Sequence, residues 1–247
     1  MESNKSNNRK YPSERPDHPF AKLRGSDIRG NNSVFYNVPD RSDIVVRKSF
    51  VNVHGEGSEE MTIHERAEYL KHQADEFRKI IERYGIKMAK TDYVIGTDPE
   101  KDRPAIFGVT ERINGENLDK ISVLDKEMID KVDELYTKII AGFIDSYLED
   151  GYSWYDPNNT QFVFGKAEGD EKPDIYLVDV DPHIFKWDNL ELQKIMKVEG
   201  KEGLFWKKMN LVRMNMDDME KKVNEKGFKF SKAREMLEKA KIEIPNI

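Results

Sequence analysis

Two short stretches crowd oxygen-bearing side chains against apolar runs. Asp156-Pro157-Asn158-Asn159 leads into TQFVFG (160–165), and Asp179 and Asp181 stand at the end of DIYLVDV (174–180). Neighbouring strands joined by a short loop usually pair antiparallel. That pairing carries the start of the first run to the end of the second. Asp156, Asn159, Asp179 and Asp181 would then share one edge. Carboxylates this close repel each other, and a bound cation relieves the repulsion. Oxygen donors without cysteine favour magnesium or calcium over zinc. The same residues also suit a type I turn and helix caps, with Pro182 forcing the exit. Local sequence leaves both readings open.

The elements that must position these residues alternate in kind. Residues 1–19 are polar and proline-containing, and are expected to form a mobile arm. Runs 33–38 and 43–50 flank Pro39-Asp40-Arg41-Ser42, a hairpin pattern. Apolar side chains at Ile63, Ala67, Leu70, Ala74, Phe77, Ile81 and Tyr84 fall on one face of a helix over about 58–84, closed by Gly85. Strands follow at 91–96 and 105–113. A second helix is predicted over about 124–148, capped by Ser122, with Asp125 in its first turn and Gly151 at its end. Helices are expected at 190–198, 203–225 and 231–242. This order means α+β, a sheet part followed by a mainly helical part.

Composition narrows the function. The formal charge of −6, with both signs mixed, gives no clear nucleic-acid signal. The absence of cysteine excludes disulfides and thiolate metal sites. No apolar run approaches the roughly 18–20 residues of a membrane span. The first residues carry no apolar core of a secretory signal, so a soluble, cytoplasmic protein is expected. The five histidines form no metal motif, and His64 and His72 are expected on the surface. The cluster GLFWKKMNLVRMNM (203–216) is expected in the core of the helical part, with a partner groove as the alternative.

The series of elements, and the residues at their junctions, resemble the protein-kinase-like superfamily over roughly residues 24–182. That superfamily includes eukaryotic-type protein kinases and the aminoglycoside and choline phosphotransferases. VTERINGENL (109–118) looks like the hinge of such a protein, where a leucine starts the next helix. Asn159 after Pro157 resembles the end of H-x-D-x-x-P-x-N, and Leu177-Val178-Asp179 resembles the strand leading into D-F-G. The resemblance implies a two-lobed fold: an N-lobe over 20–115 and a helical C-lobe over 116–247 containing the hairpin 160–180. It implies ATP and Mg2+ between the lobes. The backbone of Glu111 to Ile113 would meet the adenine, and Glu116 or Asn117 the ribose. Lys48 or Arg47, on opposite faces of one strand, would hold the phosphates. Lys48 is favoured, with Glu76 as its acidic partner. Gly30 stands where the family often has three glycines. Asn159, Asp179 and Asp181 would hold the metal.

The catalytic loop departs from the pattern. Aligned on Asn159, YSWYDPNN puts Trp154 at the catalytic Asp and Tyr152 at the His. An indole can neither orient a hydroxyl nor accept its proton. Loss of a general base typically costs about 10²–10⁴ in rate. The D-F-G position reads Asp179-Val180-Asp181, and no A-P-E-like sequence follows. The expectation is a degenerate, pseudokinase-like nucleotide-binding protein. The alternatives are an active small-molecule phosphotransferase with Asp156 as base, and a kinase-fold interaction protein without nucleotide. The further partner, a small molecule or a protein, is left open.

Overall fold

The computed structural model describes residues 24–30, 33–38, 41–49, 61–98, 102–148, 157–178 and 190–244. The chain divides into two units. The first takes its described residues from 1–53, 57–71 and 90–112; the second from 54–56, 72–89 and 113–247.

The first unit is built on a five-stranded antiparallel sheet. Its strands are β1 (Arg24–Gly30), β2 (Ser33–Asn37), β3 (Ile44–Ser49), β5 (Thr91–Thr97) and β6 (Pro104–Glu111). They lie in the order β1-β2-β3-β6-β5. The expected hairpin is β2–β3, with Tyr36 opposite Val46. Val46 in turn lies opposite Val109, and Lys48 opposite Phe107. Side chains alternate between faces, so Tyr36, Val46 and Phe107 meet in one buried cluster.

Between β3 and β5 runs helix α1 (Ile63–Arg83), shared between the units at Lys71/His72. Its start is a reciprocal capping box: the Glu65 amide donates to Thr62 Oγ1 and the Thr62 amide donates to Glu65 Oε2. Its predicted stripe is buried at Ala67, Leu70, Ala74, Phe77 and Ile81. Gly85, with φ +70°, ends it as expected. The Gly85 amide donates to the Glu82 carbonyl and the Ile86 amide to the Ile81 carbonyl, a Schellman closure.

The second unit packs helices on a small sheet of order β4-β9-β8-β7. These strands are β4 (Lys87–Met88), β7 (Asn114–Asn117), β8 (Phe162–Lys166) and β9 (Asp174–Leu177). Its helices are α2 (Lys126–Leu148), α3 (Leu190–Glu220) and α4 (Ser231–Glu243). Helix α2 is the core element: Val132, Tyr136, Ile139 and Ile140 are wholly buried. Around them stand Met209, Val212 and Met216 of α3, Leu237 of α4, and Phe162 and Leu177 of the sheet. The GLFWKKMNLVRMNM cluster accordingly supplies core side chains, although Met214 faces out.

Three local expectations change. Helix α2 is capped by Asp125, whose carboxylate accepts the Met128 amide at 2.9 Å. Ser122 lies three residues before that cap, too far from the first turn to serve. Helix α3 spans both expected segments, interrupted at Gly200, where φ is 72° and ψ 163°, and ends at Glu220 rather than 225. Leu118 starts no helix; residues 118–120 form a turn, and Lys222 Nζ donates to the carbonyls of Leu118 and Asp119.

Strand β7 (NGEN) lacks every usual strand residue. It forms because two glycines face each other across the β7–β8 pair, Gly115 opposite Gly165. A methyl built on Gly165 would stand 2.5 Å from the Asn114 carbonyl oxygen, and one on Gly115 would strike the Phe164 carbonyl. Backbone cannot yield as a flexible side chain does. Gly165→Ala should therefore destabilise the protein by about 1–3 kcal/mol, read from chemical denaturation. A cost near zero would contradict the close crossing.

Candidate functional site

Lys48 of β3 shares a face with Val46 and is buried, 6% exposed. Its neighbour Arg47, on the other face, is half-buried. The Lys48 ammonium donates to Asp98 Oδ2 at 2.5 Å, and Asp98 is fully buried. Asp98 directly follows β5 and is fixed by its own backbone. Its amide donates to the Arg103 carbonyl, and its carbonyl accepts from the Asp102 amide. Asp102 completes the turn at φ 46°. The acid expected beside Lys48, Glu76, accepts from Lys79 at 2.9 Å along α1. Gly30 ends β1 opposite Ser33.

The hinge-like segment is held by its neighbours. The Glu111 amide donates to the Lys90 carbonyl, and the Glu111 carboxylate accepts the Lys90 amide at 2.8 Å. The Arg112 amide donates to the Asp43 carbonyl at 2.7 Å. Two backbone donors expected to meet an adenine thus serve the sheet unit itself. Ile113 is buried in a small apolar cluster with Ala89, Val163 and Tyr176. Glu116 is exposed, opposite Phe164. Asn117 Nδ2 donates to the Thr160 carbonyl at 2.9 Å.

Strands β8 and β9 pair antiparallel, with Phe162 opposite Leu177, and the Val178 amide donates to the Gln161 carbonyl. The flanks of the two Asp/Asn stretches therefore leave from the same end of this hairpin. Asp156, Asp179 and Asp181 lie outside the described residues, as does Trp154. Among the described residues, no group of three or more His, Asp or Glu is placed to hold a metal.

Asn159 is described, and its carboxamide is used at both ends. Its Oδ1 accepts the Tyr136 hydroxyl at 2.5 Å, and its Nδ2 donates to the Asn215 carbonyl at 3.3 Å. Asn215 returns its own amide to the Pro157 carbonyl at 3.2 Å. The loop before β8 is thereby pinned to both α2 and α3. Burial raises the Tyr136 hydroxyl far above the ordinary tyrosine range, only partly offset by Asn159. It stays a proton donor.

Two carboxylates brace the helices behind this pin. Asp133 of α2 accepts the amides of Lys232 and Ala233, at 3.2 and 2.8 Å, and so caps α4 from another helix. Glu220, at the end of α3, takes a two-pronged hydrogen bond from Arg234 at 3.0 and 2.6 Å. It also accepts Lys229 Nζ at 2.6 Å and the Phe230 amide at 2.9 Å. Burial alone would raise the Glu220 carboxyl; Arg234, Lys229 and the Phe230 amide outweigh it and hold it below the ordinary value.

Sequence reasoning missed Asp98, Tyr136 and Asn215. Asp98 sits in a charged loop, TDPEKDRP, that reads as solvated. Tyr136 carried a usable signal: it lies four residues after Val132 in the buried stripe, where a hydroxyl needs a partner.

No family model matches the chain, and no curated protein matches it. A solved MAP kinase from Leishmania major is similar at 13% identity, with a TM-score of 0.40. The match covers 87% of this chain and 60% of that one, so this chain spans less than two thirds of the kinase's length. Among the described residues, no helix is long and apolar enough to cross a membrane.

Proposed function

We propose that the chain is a degenerate, kinase-like nucleotide-binding protein that takes ATP with a divalent cation, pseudokinase-like in lacking the usual catalytic Asp. Its lobes would be residues 20–115 and 116–247. The order of elements supports the reading: an antiparallel sheet with a long helix between its third and fourth sequential strands, then helices around a short hairpin. The observation that carries it is Lys48. An ammonium and a carboxylate buried together add little net stability, because desolvation offsets their attraction. A lysine held in that state in the third strand is where a phosphate-holding cation is expected.

Thermal denaturation tests it. A ligand bound by the folded state alone stabilises by about 2.7 kcal/mol at a hundred times its Kd. For a chain of this size that is a rise in Tm of roughly 5–10 °C. Millimolar ATP with Mg2+ or Mn2+ should produce such a rise, and Lys48→Met should abolish it. No rise with either cation overturns the nucleotide reading.

One observation favours a second reading, an interaction protein that keeps the fold without nucleotide. Asn159, the expected metal ligand, already gives its carbonyl oxygen to Tyr136. A cation there would compete with a buried hydroxyl.

A further inference from the structure

We propose that Asn114-Gly115, at the start of β7, is a site of spontaneous deamidation whose rate is set by local opening of the β7–β8 pair. The inference is independent of the nucleotide reading. Asn114-Gly115 is the one Asn-Gly step in the sequence, and both residues are exposed. Glycine has no Cβ to shield its amide nitrogen or to restrict its rotation. The reaction is internal to the chain. The Gly115 amide nitrogen, losing its proton to hydroxide, attacks the side-chain carbonyl carbon of Asn114. A new N–C bond closes a succinimide ring, the carboxamide C–N bond breaks, and the carboxamide nitrogen leaves as ammonia. Water then opens either ring carbonyl and gives aspartate or isoaspartate. Water is consumed and ammonia released in equal amounts, with no oxidant or reductant.

The fold both exposes this nucleophile and restrains it. Strand β7 is the edge of its sheet, in the order β4-β9-β8-β7. The Leu118 amide donates to the Phe162 carbonyl. Bonded and unbonded pairs alternate along an antiparallel ladder. Glu116/Phe164 and Asn114/Lys166 are therefore bonded pairs, and the Gly115 amide is directed away from β8. In a pleated strand that nitrogen is also held away from the preceding side chain. Ring closure needs Asn114 to rotate, which breaks its pairing with Lys166. Such an opening can be local. Ile113 and Leu118, on either side, are buried anchors, whereas Asn114, Gly115 and Glu116 are exposed. Segments with exposed backbone bonds and few buried contacts open well below the global unfolding free energy.

The experiment incubates the full chain in mildly alkaline buffer and follows its asparagines by tandem mass spectrometry that separates aspartate from isoaspartate. A synthetic peptide of residues 109–118 gives the rate without the fold. Asn114 should convert ahead of Asn117, Asn159 and Asn215, to both products, and more slowly than in the peptide. Gly165→Ala, whose methyl would stand 2.5 Å from the Asn114 carbonyl oxygen, weakens the pair. It should speed conversion by about fivefold or more, because reaction through an open form follows that form's population. Urea below the unfolding transition should also speed conversion in the parent, and it carries the comparison where Gly165→Ala does not fold. Asn114 still intact in Gly165→Ala and in urea, once the peptide has converted, overturns the proposal. Conversion of Asn117, Asn159 or Asn215 ahead of Asn114 does the same. So does aspartate without isoaspartate, the mark of direct hydrolysis without a ring. A parent rate equal to the peptide's, or unchanged by both perturbations, overturns the control by β7–β8 opening.

Discussion

Replacing Glu220 with alanine should lower the unfolding free energy at pH 7 by about 3–5 kcal/mol, the range for breaking one side of a buried ion pair. The Glu220 side chain is 3% exposed and receives donors from three residues. Its loss strands the Phe230 amide on a residue that is itself wholly buried. Arg234 keeps Asp217, 2.5 Å away, which places the expected cost toward the lower end. Acid should have a related effect. The carboxyls of Glu220 and Asp217 are both held below their ordinary values: for Glu220 burial opposes the shift and Arg234 leads the groups that win, and for Asp217 the Arg234 hydrogen bond is the main cause. A group depressed in the folded state contributes stability above its unfolded pKa and loses it as pH falls through the folded one. Stability should therefore hold down to about pH 5 and decline below it. In Glu220→Gln that decline should be shallower. A pH profile identical to the parent's would mean that this pair carries none of the acid sensitivity.

Asn159→Ala should cost about 1–3 kcal/mol, the cost of one stranded buried polar group. The group stranded is the Tyr136 hydroxyl, on a side chain with no exposure. The cost should be the same in EDTA as in Mg2+, because the Asn159 carboxamide is engaged at both ends by protein groups. Tyr136→Phe should show a smaller loss, again unaffected by chelation. Chemical denaturation of both variants in both buffers checks this. A loss that appears only with Mg2+ would restore Asn159 to the role of metal ligand and set aside its role as a pin.

Periodicity made the long elements legible. The stripe from Ala67 to Ile81 and the buried side of α2 follow from spacing alone, because burial of one helical face requires it. The β2–β3 and β8–β9 pairs followed from turn residues between apolar runs. What escaped were features made by distant partners. Lys87–Met88 is a two-residue strand paired in parallel with β9, and no two residues carry a strand pattern. NGEN lacks the usual strand residues, and only the facing glycines Gly115 and Gly165 let it pair as a strand. At α4, Phe230 holds the cap position without a side-chain bond, and the acceptor comes from Asp133. Lys48 and Asn159 stood out in the sequence as residues, but the contacts to Asp98 and Tyr136 did not. Asp98 and Tyr136 are chosen by the folded geometry, fifty and twenty-three residues away along the chain.

The cap on α4 also bears on how the protein is made. Asp133 and the amides it receives are separated by 99 and 100 residues. A ribosome releases α2 long before it reaches Ala233. Until then, the Asp133 carboxylate must stay hydrated, which keeps its end of α2 open to water. Domains tend to fold as units during synthesis. Here the Asp133 contact can form only after Ala233 has emerged, so nascent chains halted before that residue would present this end of α2 to chaperones as unfinished surface.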